Sequence, residues 1–482
     1  MRIPRSHRPH SERGPRIILE VPGLTAILSP MYLKKLTIEN LKAFEQATLT
    51  FSLPDGTASE ERMPNVTILL GNNGAGKSTV LKAIALAILA PVIQSSGFVP
   101  VSLVRRPPAA PAARARSAKN AKPPPPATVR ADIVVHEQDR GGAGRPPATS
   151  AACIEREGNS EFIKPIGQNT AMLRRIMAET NSPAFFLVGY GAARRVESSA
   201  KFDSASRGKT RRPRYERVSG LFEDESTMAP LTAYLPKLQQ ANPGRFTQVV
   251  HLIDRLLPPP VRFTGQMEGD EFLFEVGPCL LVPYPALSDG YRSYIGWIGD
   301  MLKHICDCCP KGKKLVDNSG IVMVDEVDLH LHPEWQRKVV PMLAAALPRI
   351  QFIFTTHSPI VTGTVLPANL IVMSGSAALG AAAEKATENV HGRTADEILL
   401  SSYFGLPSTR APSFTRKLHT LSRKAGTDPA AAGEVLKLLA SSQPAAAIRK
   451  SSASRAPKKA APARQPLTKK AAPAKTKPRA RK

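Results

Sequence analysis

The sequence predicts an α/β domain with a mostly parallel central sheet, carrying an antiparallel β subdomain and a helical subdomain. Three observations carry that expectation. An apolar run, Asn65 to Leu70, leads into Gly71-Asn72-Asn73-Gly74-Ala75-Gly76-Lys77-Ser78-Thr79 and out through the apolar run Val80 to Leu89, a strand–loop–helix frame. A second apolar run, Ile321 to Val324, ends in two acids, Asp325 and Glu326. From Gly320 to Met373, short β-rich runs alternate with a helical one, as in sheets whose strands are joined by helical crossovers.

Each element follows from local chemistry. Tyr32 to Asn40 alternates like a half-buried strand, and Phe44 to Phe51 reads as its hairpin partner. Pro91 follows the helix after the glycine loop. Residues 103–128 are rich in Pro, Ala and Arg, a composition that cannot bury a core, and read as a disordered insertion. Thr128–His136, Ser150–Glu157 and Glu161–Pro165 read as strands of a small antiparallel subdomain, and Thr170–Glu179 as a helix. Pro183 to Gly191 is a buried strand ending in a glycine turn, and 197–216 is a polar, basic, mobile loop. Leu231 to Leu257 is helical, interrupted at Pro243-Gly244; Val261–Thr264 and Glu271–Val276 form a strand pair; Leu287 to Cys306 is a turn and a helix. Gly320–Asp325, Ile350–Thr355 and Leu370–Met373 are strands, Pro333–Leu347 a proline-opened helix, and Thr394–Leu439 helical.

The 482 residues carry a net charge of +27, but the charge is localised. Ser441 to Lys482 holds thirteen Lys/Arg and no acid, Val101 to Arg130 holds seven and no acid, and the first eighteen residues hold five Arg against one Glu. The folded part is therefore near neutral. The tail lacks interleaved aromatics, so it either binds polyanions such as DNA by charge alone, weakly and with strong salt dependence, or is simply solvated. Five cysteines in a chain this long are no disulfide framework, which points to a reducing cytoplasm. No apolar run reaches the ~20 residues of a membrane helix. Residues 1–30 are Arg-rich without an apolar core and read either as a disordered leader or as sequence ahead of the true start at Met31.

The glycine stretch fits the phosphate-binding pattern G-x-x-x-x-G-K-[ST]. Its backbone N–H groups can cradle phosphate oxygens at a helix start, Lys77 can reach the β- and γ-phosphates, and the Ser78 hydroxyl can ligate Mg²⁺. A buried strand delivering Asp325 supplies the second Mg²⁺ ligand, and Glu326 is placed as general base for the attacking water. Phe352–Pro359 repeats the layout, a strand ending at His357, which can hydrogen-bond a γ-phosphate. Leu287-Ser288-Asp289-Gly290-Tyr291-Arg292-Ser293 is a loop entering a helix, where Ser288, the Gly290 backbone and the helix start make an anion site.

In that order, the phosphate loop, the L-S-x-G signature, the D-E strand end and the T-H strand end resemble the heads of ABC-type ATPases. Gly320–Gln336 and Gln351–Pro359 more narrowly resemble stand-alone AAA-family ATPases related to the overcoming-lysogenization-defect, RecF and SMC heads, over roughly residues 32–420 without the insertions. The resemblance implies a homodimer that binds Mg-ATP between subunits. Ser288 and Gly290 contact the γ-phosphate held by the other copy, Asp328 to His332 cross the interface, and His357 is the switch histidine. Asp289 and Tyr291 stand where transporter ATPases carry Gly and Gln, and no long coiled coil intervenes. Gln138 is the candidate for the superfamily's water-positioning glutamine. The family implies DNA-associated work or defence against phage, with a separate nuclease-like effector. The alternatives are an ATP-gated DNA clamp with negligible turnover and a transporter subunit.

Lesser signals stay open at this level. Asp328, His330 and His332 alternate as metal ligands would. His304, Cys306, Cys308 and Cys309 lack the second pair of a zinc site and read as helix-end packing. Arg194 and Arg195 either reach a phosphate or lie in solvent. The expected layout is a leader at 1–30, the ATPase domain at 31–375, a helical region at 376–440 and a basic tail at 441–482.

Overall fold

The computed structural model describes residues 31–59, 61–106, 124–134, 148–178, 186–197, 213–278, 280–376, 380–426 and 428–441. The leader, the tail beyond 441, Gln138 and Cys279 lie outside them. Two compact units divide at Thr409 and Arg410.

In the first unit, β1 (Tyr32–Leu41) and β2 (Phe44–Thr50) precede β3 (Val66–Leu70) and α1 (Lys77–Ile93). Then come β4 (Ala127–Val134), β5 (Ala148–Glu157), β6 (Ser160–Ile166), α2 (Thr170–Ala178), β7 (Leu187–Tyr190) and β8 (Arg195–Val196). Next are α3 (Pro213–Glu216), β9 (Thr227–Met228), α4 (Leu235–Ala241), α5 (Pro243–Leu256), β10 (Val261–Glu268), β11 (Glu271–Val276), β12 (Leu280–Pro283) and α6 (Asp289–Cys308). The unit ends with β13 (Gly320–Val324), α7 (Pro333–Gln336), α8 (Val339–Ala346), β14 (Ile350–Thr356), α9 (Pro359–Thr362), β15 (Leu370–Ser376), β16 (Gly380–Lys385) and α10 (Ala395–Leu399). In the second, α11 (Pro412–Ala425) packs on α12 (Pro429–Ser441) as a helical hairpin.

The central sheet has the order β16-β15-β3-β14-β13-β7, parallel throughout except for the β16 edge. Its inner strands are fully buried, which is why they read as unbroken apolar runs. The period of two still sorts their side chains. Ile68, Val322, Val324, Phe352 and Phe354 join a core under α5, α6 and α8, whereas Leu69, Ile321, Met323 and Ile353 join a core under α1. On that second side α1 is sandwiched between the central sheet and the antiparallel sheet β2-β1-β4-β5-β6. Almost every residue from Val80 to Ile93 is buried, so α1 is apolar all round rather than amphipathic.

Several expectations need correction. The strands at 128–136, 150–157 and 161–165 are not a separate subdomain: β4 pairs with β1, and all five strands form one sheet. Pro91 lies inside α1, near its C-terminal end, rather than following it. The ends of the insertion at 103–128 are ordered. Leu103 and Val104 are buried, and their N–H groups bond the buried Glu161 carboxylate at 2.7 and 3.2 Å. Residues 107–123 lie outside the described set. Within 197–216, residues 213–216 are helical and 198–212 lie outside it. The helix at 333–347 is split into α7 and α8 by a turn at Arg337 and Lys338; Trp335 of α7 seats edge-on against Tyr291, ring centroids 4.1 Å apart. The region 376–440 is not wholly helical: β16 extends the sheet, and 400–411 separate α10 from α11.

Candidate functional site

The phosphate loop closes tightly on β3 and α1. Gly76 has φ +93°, and a Cβ there would stand 2.7 Å from the buried Phe44 ring, so only glycine fits. Asn72, Asn73 and Gly74 are exposed, Gly71 and Ala75 buried, and Ser78 and Thr79 half-buried in the first turn of α1. The buried Lys77 ammonium folds back on the loop, donating to the carbonyls of Gly71 (2.6 Å) and Asn72 (3.1 Å). Burial lowers its pKa, while the carboxylates of Asp325, Glu326 and Asp328 pull the other way. Lys77 thus lies in the field of the very acids that its distant position in sequence separates from it.

The sheet order makes that meeting unavoidable. β3, β14 and β13 are neighbours, and their C-terminal ends deliver the phosphate loop, Thr355–His357 and Asp325–Glu326 to one edge. The turn after β13 is fixed from both sides. The buried Thr355 hydroxyl donates to Asp325 Oδ1 and accepts the Glu326 N–H at 2.7 Å, while Val327 N–H bonds Thr355 O at 3.0 Å. On the β7 side, Asp325 N–H bonds Tyr190 O at 2.8 Å, and the Arg194 guanidinium forks onto the carbonyls of Asp325 (3.0 Å) and Glu326 (2.9 Å). Arg194 is therefore tied to the main chain of the acid turn rather than left in solvent. Burial lowers its pKa to about 10, opposed by Asp325, Asp328 and Glu326, so it stays charged at neutral pH. Glu326 itself holds φ +48°. Arg194 stood in the sequence only as a residue for a phosphate or for solvent, and Thr355 was not singled out. The signals were weak: an arginine after a glycine turn, and a threonine ending the strand beside the acids.

The following loop is tied down similarly. The Thr356 hydroxyl donates to Asp328 Oδ1, and His332 Nδ1 accepts the Glu334 N–H at 3.3 Å, so Asp328 and His332 go to separate partners rather than to one metal. His357 is exposed, directly beyond β14. Ser358 caps α9 and donates to Gln336 Oε1 at 2.7 Å.

The signature opens α6. Ser288 occupies the cap position, exposed and with no cap bond from its own hydroxyl. A Cβ on Gly290 would stand 2.7 Å from His330 O, so glycine is what lets the signature and the Asp328–His332 loop touch. A cavity of about 710 Å³ lies at this helix start, lined by Arg194, Asp289, Arg292, Ser293 and His330 among others. Another, of about 580 Å³, is lined by Asn72–Ala75 with Lys42, Arg105 and Arg106. The two share no lining residue, and the first is linked to the acids through Arg194, which lines it and bonds the Asp325 and Glu326 carbonyls.

The His304–Cys309 cluster is taken up by packing. His304 pairs with Asp300 at 3.3 Å, Arg217 donates to Cys308 Sγ and Arg245 to Cys309 Sγ. Burial pushes the Cys306 thiol up to about 12, and among the described residues no three metal-ligating side chains converge.

Comparisons with known proteins agree with this geometry. Residues 205–362 match the family described as "AAA domain, putative AbiEii toxin, Type IV TA system", and residues 35–96 match one described as "AAA domain". "Septu protein PtuA" of Bacillus mycoides (strain KBAB4) is 23% identical over 379 residues, covering 78% of this chain and 45% of that protein. "Retron Ec83 probable ATPase" of Escherichia coli is 40% identical over 84 residues, 17% of this chain and 16% of that one. The chain spans less than half the length of these curated relatives. Among solved structures, the SMC head domain from Thermotoga maritima aligns at TM-score 0.39 and 16% identity, over 74% of this chain and 99% of that one. The two halves of the candidate phosphate site thus end β3 and β13, on either side of β14, and each falls within a stretch that is similar to an AAA domain.

Proposed function

We propose that this chain binds Mg-ATP at Gly71–Thr79 and hydrolyses it, using the cycle as a dimerisation switch. The observation that carries the reading is the convergence of Lys77, beyond β3, with Asp325 and Glu326, beyond β13, across the intervening strand β14. The loop N–H groups and Lys77 hold the phosphates. The Ser78 hydroxyl and the Asp325 carboxylate are hard oxygen donors from the first turn of α1 and a strand end on the same edge, a donor set that suits Mg²⁺. When bound, Mg²⁺ neutralises charge on the phosphates. Glu326, one residue beyond Asp325 and turned by its left-handed backbone, takes the proton of the attacking water. His357, exposed beyond β14, reads the γ-phosphate.

Ser288, exposed at the start of α6 with its hydroxyl making no cap bond, is free to meet a nucleotide held by a second copy, with the Gly290 backbone beside it. The names of the relatives, a Septu protein and retron ATPases, support placing the switch in defence against phage, with a separate effector. Among the described residues no helix is long and apolar enough to cross a membrane.

The test is Glu326→Gln. Turnover should fall about 10²- to 10⁴-fold, the usual contribution of a general base, while light scattering with ATP shows a trapped dimer. A variant that still hydrolyses at the wild-type rate removes Glu326 as base; one that stays monomeric with ATP removes the shared site.

A further inference from the structure

We propose that Arg194 is a positioning residue for the proposed hydrolysis, a clamp whose forked guanidinium sets the backbone that aims Asp325 and Glu326. The inference rests on the ATPase reading above and deepens it.

The geometry is unusual for an arginine among carboxylates. Asp325, Glu326 and Asp328 all lie within electrostatic reach, yet its hydrogen bonds go to the main-chain carbonyls of the first two, at 3.0 and 2.9 Å. A planar fork suits two successive carbonyls where a single ammonium does not. The target peptide needs such restraint. Glu326 sits at φ +48°, a region that non-glycine residues enter only when their surroundings hold them there. Thr355 holds the N–H side of that residue, and Arg194 holds the carbonyl on each side of it. Arg194 can do so because β7 pairs in parallel with β13 and ends beside it, Tyr190 opposite Val324. The remaining guanidinium nitrogen, Nε, is buried without a partner. An arginine kept at that cost is explained by the orientation it imposes on the two carbonyls.

Glu326 is the residue that suffers without the clamp. Asp325 keeps its Thr355 bond and its N–H bond to Tyr190. The metal and nucleotide ligands therefore survive loss of Arg194, and the base is misaligned. The predicted signature is a kcat effect without a KM effect.

The experiment uses the full chain with Arg194→Ala and Arg194→Lys. Steady-state ATP turnover should show kcat down about 30- to 100-fold, the scale of a misplacement near 1 Å, with KM and calorimetric ATP affinity within about threefold of wild type. Millimolar guanidinium, admitted through the cavity that Arg194 lines, should restore at least a tenth of the activity of Arg194→Ala and none to Arg194→Lys, whose side chain still occupies the space. Hydrogen exchange of the 323–331 segment, measured without nucleotide, should speed up about tenfold in Arg194→Ala and slow again with guanidinium. Unchanged kcat overturns the clamp, as does a parallel loss of affinity and melting temperature with no guanidinium response. A wild-type chain that turns over no ATP overturns the ATPase reading instead, and the exchange data then decide the clamp alone: unaltered exchange sinks it.

Discussion

Thr355→Val tests how much the strand-end network contributes. Valine keeps the shape of threonine and removes its hydroxyl, which bonds both Asp325 Oδ1 and the Glu326 N–H (2.7 Å). Thr355 is fully buried, and Asp325 is 7% exposed, so water cannot replace either bond. An orphaned buried N–H costs about 1–3 kcal/mol, and a lost hydrogen bond to a carboxylate about 1.5–3 kcal/mol. The two share one atom and are not additive, so the expected loss is about 2–4 kcal/mol. The assay is urea unfolding followed by tryptophan fluorescence. Both tryptophans of the chain, Trp297 and Trp335, are buried in the core of the first unit, so the signal reports on that unit alone. With a slope of about 3 kcal/mol per molar urea, the midpoint should fall by about 1 M. Thr355→Ser keeps the hydroxyl and should recover most of the loss. A Thr355→Val midpoint within about 0.2 M of wild type would show that the hydroxyl contributes nothing, and the account of how Asp325 and Glu326 are held would fall with it.

Two further outcomes follow from charge and burial. Lys77→Ala should abolish ATP binding in calorimetry while leaving the urea midpoint near wild type, since it removes a buried cation whose bonds, to the Gly71 and Asn72 carbonyls, stay within the loop; retained binding refutes the site. Asp300 gives a pH signature. Burial would raise its pKa, but His304, the Ala229 N–H and the Tyr190 hydroxyl outweigh it and hold the group at about 2. The folded value lies below the unfolded one, so its stabilisation is complete above pH 4 and is lost as pH falls toward 2, about 1 kcal/mol by pH 3. Asp300→Asn should remove that part of the slope in urea midpoints taken from pH 5 to 3; an unchanged slope assigns it to other carboxylates.

What could be read from the chain was whatever is imposed locally. A phosphate loop needs Gly76 at φ +93° between a strand and a helix, and all of that is contiguous. Buried parallel strands announce themselves as apolar runs, so β3, β13 and β14 were legible with the acids that end β13. What was hidden depends on neighbours far along the chain. Thr355 acts on residues thirty positions earlier, and Arg194 on backbone 131 and 132 positions later, through atoms that every residue possesses. A carbonyl acceptor leaves no trace in side-chain identity. β16 was missed for another reason: Gly380-Ala381-Ala382-Ala383-Glu384-Lys385 has little β-propensity and is a strand because β15 offers an open edge. The merged antiparallel sheet was equally invisible, since β1 meets β4 only across the glycine loop and α1.

The same network suggests why two sites in a dimer would not act independently. Thr355 and Thr356 are consecutive, and their hydroxyls go to Asp325 and Asp328 respectively. The first acid faces the phosphate-loop lysine of its own chain. The second begins the loop that reaches His330, whose carbonyl lies against Gly290 of the signature. His330 holds φ +64°, so this loop has little freedom to absorb a shift. A displacement of the end of β14 on phosphate loss must therefore move both acids together, and through His330 it moves α6. If that helix start closes the site of the other copy, hydrolysis in one chain loosens the grip on the nucleotide of its partner. Gly290→Ala would press a Cβ into that carbonyl and disturb the close approach of the signature to this loop.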